Sequence, residues 1–236
     1  MVPNATLNQP PEPTHGRSIP WNPLPDAGLA LASIQLSRQT GALVLLCARD
    51  EQHAYQLEAT CRFFADDDCP VLHFPDMEIL PYDALSPLPE VVSERLAALA
   101  RIPTLHTGVV IVGADNLLQR LPPPSFVEAR SLSVTQGQTL SPLSLRETLD
   151  RAGYQAVAEV QSHGEYALRG ALMDLFPMGS PSPYRIDWLD DDIDSIRLFD
   201  PETQRSQDVV ERIEPLPAKA FPTDTGGIER FRRQYR

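Results

Sequence analysis

The chain has 236 residues, 42% hydrophobic and 22% charged, with a formal net charge of −12. That is enough apolar material for one large core or two modest ones, and the acidic balance counts against a protein that grips duplex nucleic acid mainly through phosphates. Three cysteines (Cys47, Cys61, Cys69) without a Cys-x-x-Cys spacing exclude a disulfide framework or zinc site, and the lack of an apolar run near 20 residues or of a secretion signal points to a cytoplasmic protein.

Residues 1–20 hold six prolines or glycines and almost no periodicity, the composition of a disordered tail. Residues 41–48 form a continuous apolar run between Gly41 and Asp50, as in a strand buried on both faces. Ala54, Leu57, Cys61 and Phe64 then recur at helical spacing over 50–65, with Asp50 as N-cap. A short strand is expected at 71–74 and a third at 109–112. Between them Val92, Leu96, Leu99 and Ala100 mark a helix over 89–100 with Pro89 in its first turn. Asp115 is placed as the N-cap of a short helix to 121. Such alternation predicts a parallel sheet with helices on both faces.

Pro122-Pro123-Pro124 is the strongest punctuation in the chain and sets the domain boundary. Beyond it residues 130–136 alternate. Residues 141–151 read as a helix with Ser141 at its cap, Pro142 in its first turn and Gly153 after its end. Strands are expected over 156–160, 166–176, 184–189, 195–199 and 209–216, separated by turn residues that include the acidic run 190–194. This predicts a second, mostly antiparallel α+β domain. Residues 223–236 begin with a helix cap.

The chemistry of a nucleotide site is missing. A phosphate loop needs Gly-x-x-x-x-Gly-Lys-Ser/Thr, whose backbone N–H groups cradle phosphates while the lysine reaches the terminal ones. The chain has a single lysine, Lys219, far from any first strand, and the segment ahead of that strand offers only Asp26-Ala27-Gly28-Leu29-Ala30. There is no Gly-x-Ser-x-Gly elbow. His53, His73, His106 and His163 have no spaced partner, and the acidic runs 66–68 and 190–194 lack the Gly and terminal Glu of a calcium loop. No catalytic residue, metal site or cofactor is assigned.

Two segments carry a resemblance. One is Ile79-Leu80-Pro81-Tyr82-Asp83-Ala84-Leu85-Ser86-Pro87, leading into Ser93-Glu94-Arg95-Leu96. The other is Arg169-Gly170-Ala171-Leu172-Met173-Asp174-Leu175-Phe176-Pro177 followed by Tyr184 to Asp200. Together they resemble the UvrB-homology module at the N-terminus of bacterial transcription-repair coupling factors, from about residue 40 to the end. The resemblance implies an α/β fold: a degenerate RecA-like domain at 21–121, with a UvrA-binding, mostly antiparallel α+β domain at 122–212 inserted into it. A segment from 213 to 236 returns to the first core and is cut short. It further implies a non-catalytic adaptor that recruits UvrA to stalled RNA polymerase in nucleotide-excision repair. The partner-binding residues are then Arg169, Arg185, Leu189 and Arg197. Arg suits such a surface because its fork binds carboxylates through two parallel bonds.

By the same resemblance, ATP, magnesium, DNA and RNA polymerase belong to the motor parts of a longer protein, whose C-terminal domain masks the UvrA surface. Two departures from UvrB itself stand out. The run Ser86-Pro87-Leu88-Pro89-Glu90 enters a helix with no room for a DNA-clamping hairpin, and the phosphate loop is lost. Three alternatives stay open: Arg169 and Arg185 pair only with the acidic turn at 190–194; the module is structural and autoinhibitory; or it is a nucleotide-dependent, UvrB-like enzyme.

Overall fold

The computed structural model describes residues 10, 13, 15–20, 23–79, 84–128, 131–221 and 225–234. Most of the N-terminal tail, positions 80–83 of the first motif, Arg130 and the Thr223 cap lie outside them. The chain divides into two compact units, Met1–Asp76 with Thr104–Gln119, and Met77–Pro103 with Arg120–Arg236. Among the described residues no helix is long and apolar enough to cross a membrane.

The first unit is a parallel sheet with two helices. Helix α1 (Asp26–Thr40) precedes β1 (Leu43–Ala48), followed by α2 (Glu51–Phe64), β2 (Val71–Phe74) and β3 (Gly108–Gly113). The strand order is β1-β3-β2, all parallel. Asp50 caps α2 by accepting from His53 N at 2.8 Å. The sequence reading contains no α1: its inward stripe of Ala30, Ser33, Ile34 and Ser37 is small and half polar, and its N-cap is Pro25, which makes no side-chain hydrogen bond. Helices were expected on both faces of the sheet. Both α1 and α2 instead pack on one face, burying Ala30, Ile34, Ala54 and Leu57 against Leu46, Val109 and Ile111. After β3 the chain makes a 3₁₀ turn, Ala114–Leu118, in which Gly113 rather than Asp115 holds the cap position.

The second unit opens with α3 (Pro89–Arg101), followed after β3 by α4 (Pro124–Glu128). The sequence reading counts α3 with the first sheet. Its stripe of Val92, Leu96 and Leu99 packs instead with Phe126 and Val127 of α4, Met178 and Leu216. Then come β4 (Val134–Thr135), α5 (Pro142–Ala152), β5 (Gln155–Ala156), β6 (Glu165–Arg169), β7 (Leu172–Phe176), β8 (Tyr184–Leu189), β9 (Asp192–Phe199), β10 (Ser206–Val210), β11 (Arg212–Ile213) and α6 (Thr225–Gln234). Strands β5 to β10 form one sheet in sequence order, antiparallel except for the short β5–β6 pair.

The single strand expected at 166–176 is a hairpin, because Gly170 takes φ 63° and lets Gly170-Ala171 reverse the chain between Arg169 and Leu172. The strand expected at 156–160 shrinks to β5. That at 209–216 breaks in two, with β11 pairing β4. Ile213 and Leu216, expected to return to the first core, are buried in this unit.

One face of the six-stranded sheet is closed. Tyr166, Met173, Leu175, Ile186, Trp188, Ile193 and Ile196 meet Leu145, Leu149 and Ala152 of α5. Ser141 caps α5, accepting from Ser144 N at 3.3 Å, and Pro142 starts its first turn. Tyr154 ties the sheet to the following segments: its hydroxyl donates to Leu216 O at 2.6 Å and accepts from Met178 N. Burial raises this phenol well above its ordinary range.

Candidate functional site

The opposite face of that sheet carries the charges. Strand registers set Ala167 beside Asp174, Asp174 beside Arg185 and Arg185 beside Arg197, with Arg169 opposite Leu172 and Leu172 opposite Asp187. Side chains alternate along a strand, so Arg169, Asp174, Arg185, Asp187 and Arg197 share one side. A bulge after Asp187 pairs Trp188 with Ile193. The extra residue is Asp194 of β9, so Ile193 and Ile196 both face inward. Plain alternation along β8 keeps the Trp188 indole inward, where Nε1 donates to Leu140 O at 2.7 Å, and Leu189 outward. The structure therefore gathers all four residues expected to bind the partner, Arg169, Arg185, Leu189 and Arg197, on one face. At the end of that face Val160, Ala167, Phe176 and Phe199 form a small apolar cluster.

Their environments differ. The Leu189 residue is 70% exposed. The side chains of Arg169 and Arg197 are 50% and 41% exposed, and Arg185 only 16%. Arg185 is held by a fully buried carboxylate: Nε donates to Asp174 Oδ1 at 2.6 Å and Nη2 to Oδ2 at 2.9 Å. Its Nη1 donates to Gln204 O and Ser206 Oγ, and its guanidinium carbon lies 5.2 Å from the Phe199 ring centre. The Asp174 hydrogen bonds push the Arg185 pKa above its already high ordinary value. Arg169 donates to Ala158 O and stands 3.8 Å from Asp174, and Arg197 stands 3.7 Å from Asp187.

The acidic turn takes neither Arg169 nor Arg185. Asp192 Oδ1 accepts from Thr139 Oγ1 at 2.6 Å, and Asp191 O accepts from Leu140 N. Among the described residues no cluster of histidine, cysteine and carboxylates fits a metal ion, and the three cysteines are free thiols. Sequence reasoning did not single out Asp174, although one signal was available: a lone carboxylate inside the apolar run Leu172-Met173-Asp174-Leu175-Phe176 needs a buried cation beside it.

In the first unit the β1–α2 junction occupies the place where a phosphate cradle would stand in a nucleotide-binding α/β unit. The turn is short and acidic. Asp50 Oδ1 takes the His53 amide, and Oδ2 takes Arg49 Nε at 2.8 Å. These bonds hold the Asp50 carboxyl below the usual range. Glu51 follows at the first helical position, its Oε2 3.1 Å from where a Cβ on Gly113 would lie. Two carboxylates thus meet the positive end of the α2 dipole. His53 accepts from Arg49 N at Nδ1, so its Nε2–H faces Asp26 Oδ1 at 3.1 Å.

Residues 132–221 match the UvrB interaction domain family, which defines the class of the second unit. Over 90% of its length the chain is 46% identical to the transcription-repair-coupling factor of Escherichia coli, and over 97% it is 44% identical to that of Haemophilus influenzae. A transcription-repair-coupling factor of Myxococcus xanthus is 35% identical over 78% of the chain. The chain belongs to the UvrB-homology modules of the transcription-repair-coupling factors. It spans about a fifth of those relatives, 18% and 20% of the first two.

Proposed function

We propose that the chain is a non-catalytic adaptor that docks UvrA through the open face of its six-stranded sheet and thereby recruits it to stalled RNA polymerase. One observation carries the reading. The four residues that the family resemblance puts forward come from three strands, yet they share the sheet face opposite the one that α5 closes. Arg169 and Arg197 offer half-exposed guanidinium groups to carboxylates, Leu189 an apolar contact, and Arg185 the anchored centre between them. Interfaces concentrate their energy in a few such groups.

The reading is tested by mixing the purified chain with UvrA and following co-elution and titration heat. A complex is expected. Leu189→Asp, which sets an acid among the arginines at an exposed position, is expected to weaken it at least tenfold, about 1.4 kcal/mol. Full affinity in that variant, or no complex with the unaltered chain, rejects the face.

The nucleotide-dependent alternative is disfavoured by the carboxylates of Asp50 and Glu51 at the α2 N-terminus, which repel a phosphate. An autoinhibitory role is compatible with docking, since a further domain of the parent protein could cover the same face until UvrA competes for it.

A further inference from the structure

We propose that Val209 is a further contact residue of the docking face, where it meets an apolar side chain of UvrA beside the carboxylate that engages Arg197. The inference rests on the docking reading above. Strand β10 is an edge of the six-stranded sheet. Its register sets Ser206 opposite Phe199, Val209 opposite Arg197 and Val210 opposite Ile196. Two steps along β9, from Phe199 to Arg197, thus match three along β10, from Ser206 to Val209, so β10 carries one extra residue. The sides on which the two ends of this bulge lie are fixed by contacts. Ser206 Oγ accepts from Arg185 Nη1 on the open face, and Val210 packs against the core that α5 closes. Val209 precedes Val210 in the strand and therefore faces the open side with Arg197.

The bulge changes which residue stands beside Arg197. Straight pairing from Ser206 would set Asp208 opposite Arg197 and turn Val209 to the core side. The extra residue instead puts an aliphatic side chain in the place of an acid. Bulges re-aim side chains in this way and recur beside functional sites. Val209 is 59% exposed. Arg197 stands 3.7 Å from Asp187, beyond hydrogen-bond length, and keeps a solvent-facing guanidinium. Side chains directly opposite in a sheet lie within reach of each other, so a partner that covers Val209 also shuts water away from the Arg197 guanidinium. Loss of that water strengthens an ion pair between Arg197 and a partner carboxylate. Leu189 of β8 and Val209 of β10 stand on the two strands that flank Arg197 of β9, so apolar contacts border the cation on both sides.

The test is calorimetric titration of the whole chain with UvrA. Val209→Asp is expected to bind at least about tenfold more weakly. Val209→Thr keeps the branched shape and strand preference but not the apolar surface, and is expected to bind about fivefold more weakly. Both are expected to melt at the temperature of the unaltered chain, because the side chain is exposed. Leu143→Asp alters an exposed side chain of α5, behind the sheet, and is expected to leave affinity unchanged. In an Arg197→Ala background, Val209→Thr is expected to cost less than about twofold further, because the shielded ion pair is already gone. Val209→Asp within twofold of the unaltered chain overturns the contact. Losses that multiply in the double variant overturn the shielding of Arg197, and a loss from Leu143→Asp as large as that from Val209→Asp overturns the assignment to this face. If the unaltered chain forms no complex, or Leu189→Asp keeps full affinity, it is the docking reading that fails.

Discussion

At the scale of single residues, the Asp174–Arg185 pair decides how the open face is built. A carboxylate with no exposed surface is tolerated in a strand only if a cation neutralises it in good geometry. Arg185→Ala removes that cation and leaves the carboxylate buried, at a cost of roughly 3 kcal/mol or more. The double variant Asp174→Ala/Arg185→Ala is expected to be more stable than Arg185→Ala alone, as urea unfolding of the two will show. A second residue acts through backbone space. Gly108 enters β3 at φ 132°, and a Cβ there would lie 2.5 Å from Pro70 O. Gly108→Ala is expected to destabilise the chain by about 2 kcal/mol or more, read from denaturant midpoints, because both the dihedral and the contact oppose a methyl group.

At the scale of elements, α2 is tied to β2 by a polar cluster beneath it. His73 lies between Glu51, 3.1 Å from Nε2, and Glu58, 3.4 Å from Nδ1, with Tyr55 edge-on at 4.6 Å. Glu51, Tyr55 and Glu58 follow helical spacing, so one face of α2 presents all three. The Glu58 carboxyl is held below its usual range, first by the His73 hydrogen bond and then by Arg62. A carboxylate with a depressed folded-state pKa adds stability above its unfolded value of about 4.3 and loses it as pH falls through the folded value. Glu58→Gln is therefore expected to be less stable than the unaltered chain at pH 7, with the gap closing below about pH 4. Thermal melts at both pH values will check it.

Elements with a strong period or a side-chain cap were legible: Asp50 and Ser141 begin α2 and α5 in the structure. Helix α1 was not, because alanine and serine on its inner face carry little periodic signal. The β6–β7 hairpin read as one strand, because nothing in the apolar pattern on either side of Gly170-Ala171 interrupts it.

At the scale of the whole molecule, the chain joins a parallel three-stranded unit to an antiparallel six-stranded one, and the chemistry falls to the second. The first is a parallel α/β unit with Asp50 and Glu51 at the N-terminus of α2, where a bound phosphate would be repelled. Titration of ATP with magnesium into the chain is accordingly expected to give no binding heat at micromolar concentrations. Micromolar binding would restore the enzyme reading. No gel shift with duplex DNA is expected at physiological salt, given the net charge of −12.

The sequence by itself determined the class of each unit, the lack of a lysine-bearing phosphate loop and the family, because strand–helix alternation, residue inventory and ordered motifs are local properties. Which residue of β9 is bulged, which acid holds Arg185, and which helix α4 packs against were decided only by tertiary structure. The bulge at Asp194 reverses the parity of β9, so that Ile193 as well as Ile196 faces the core. A buried charge takes its partner from the neighbouring strand rather than from the neighbouring residue.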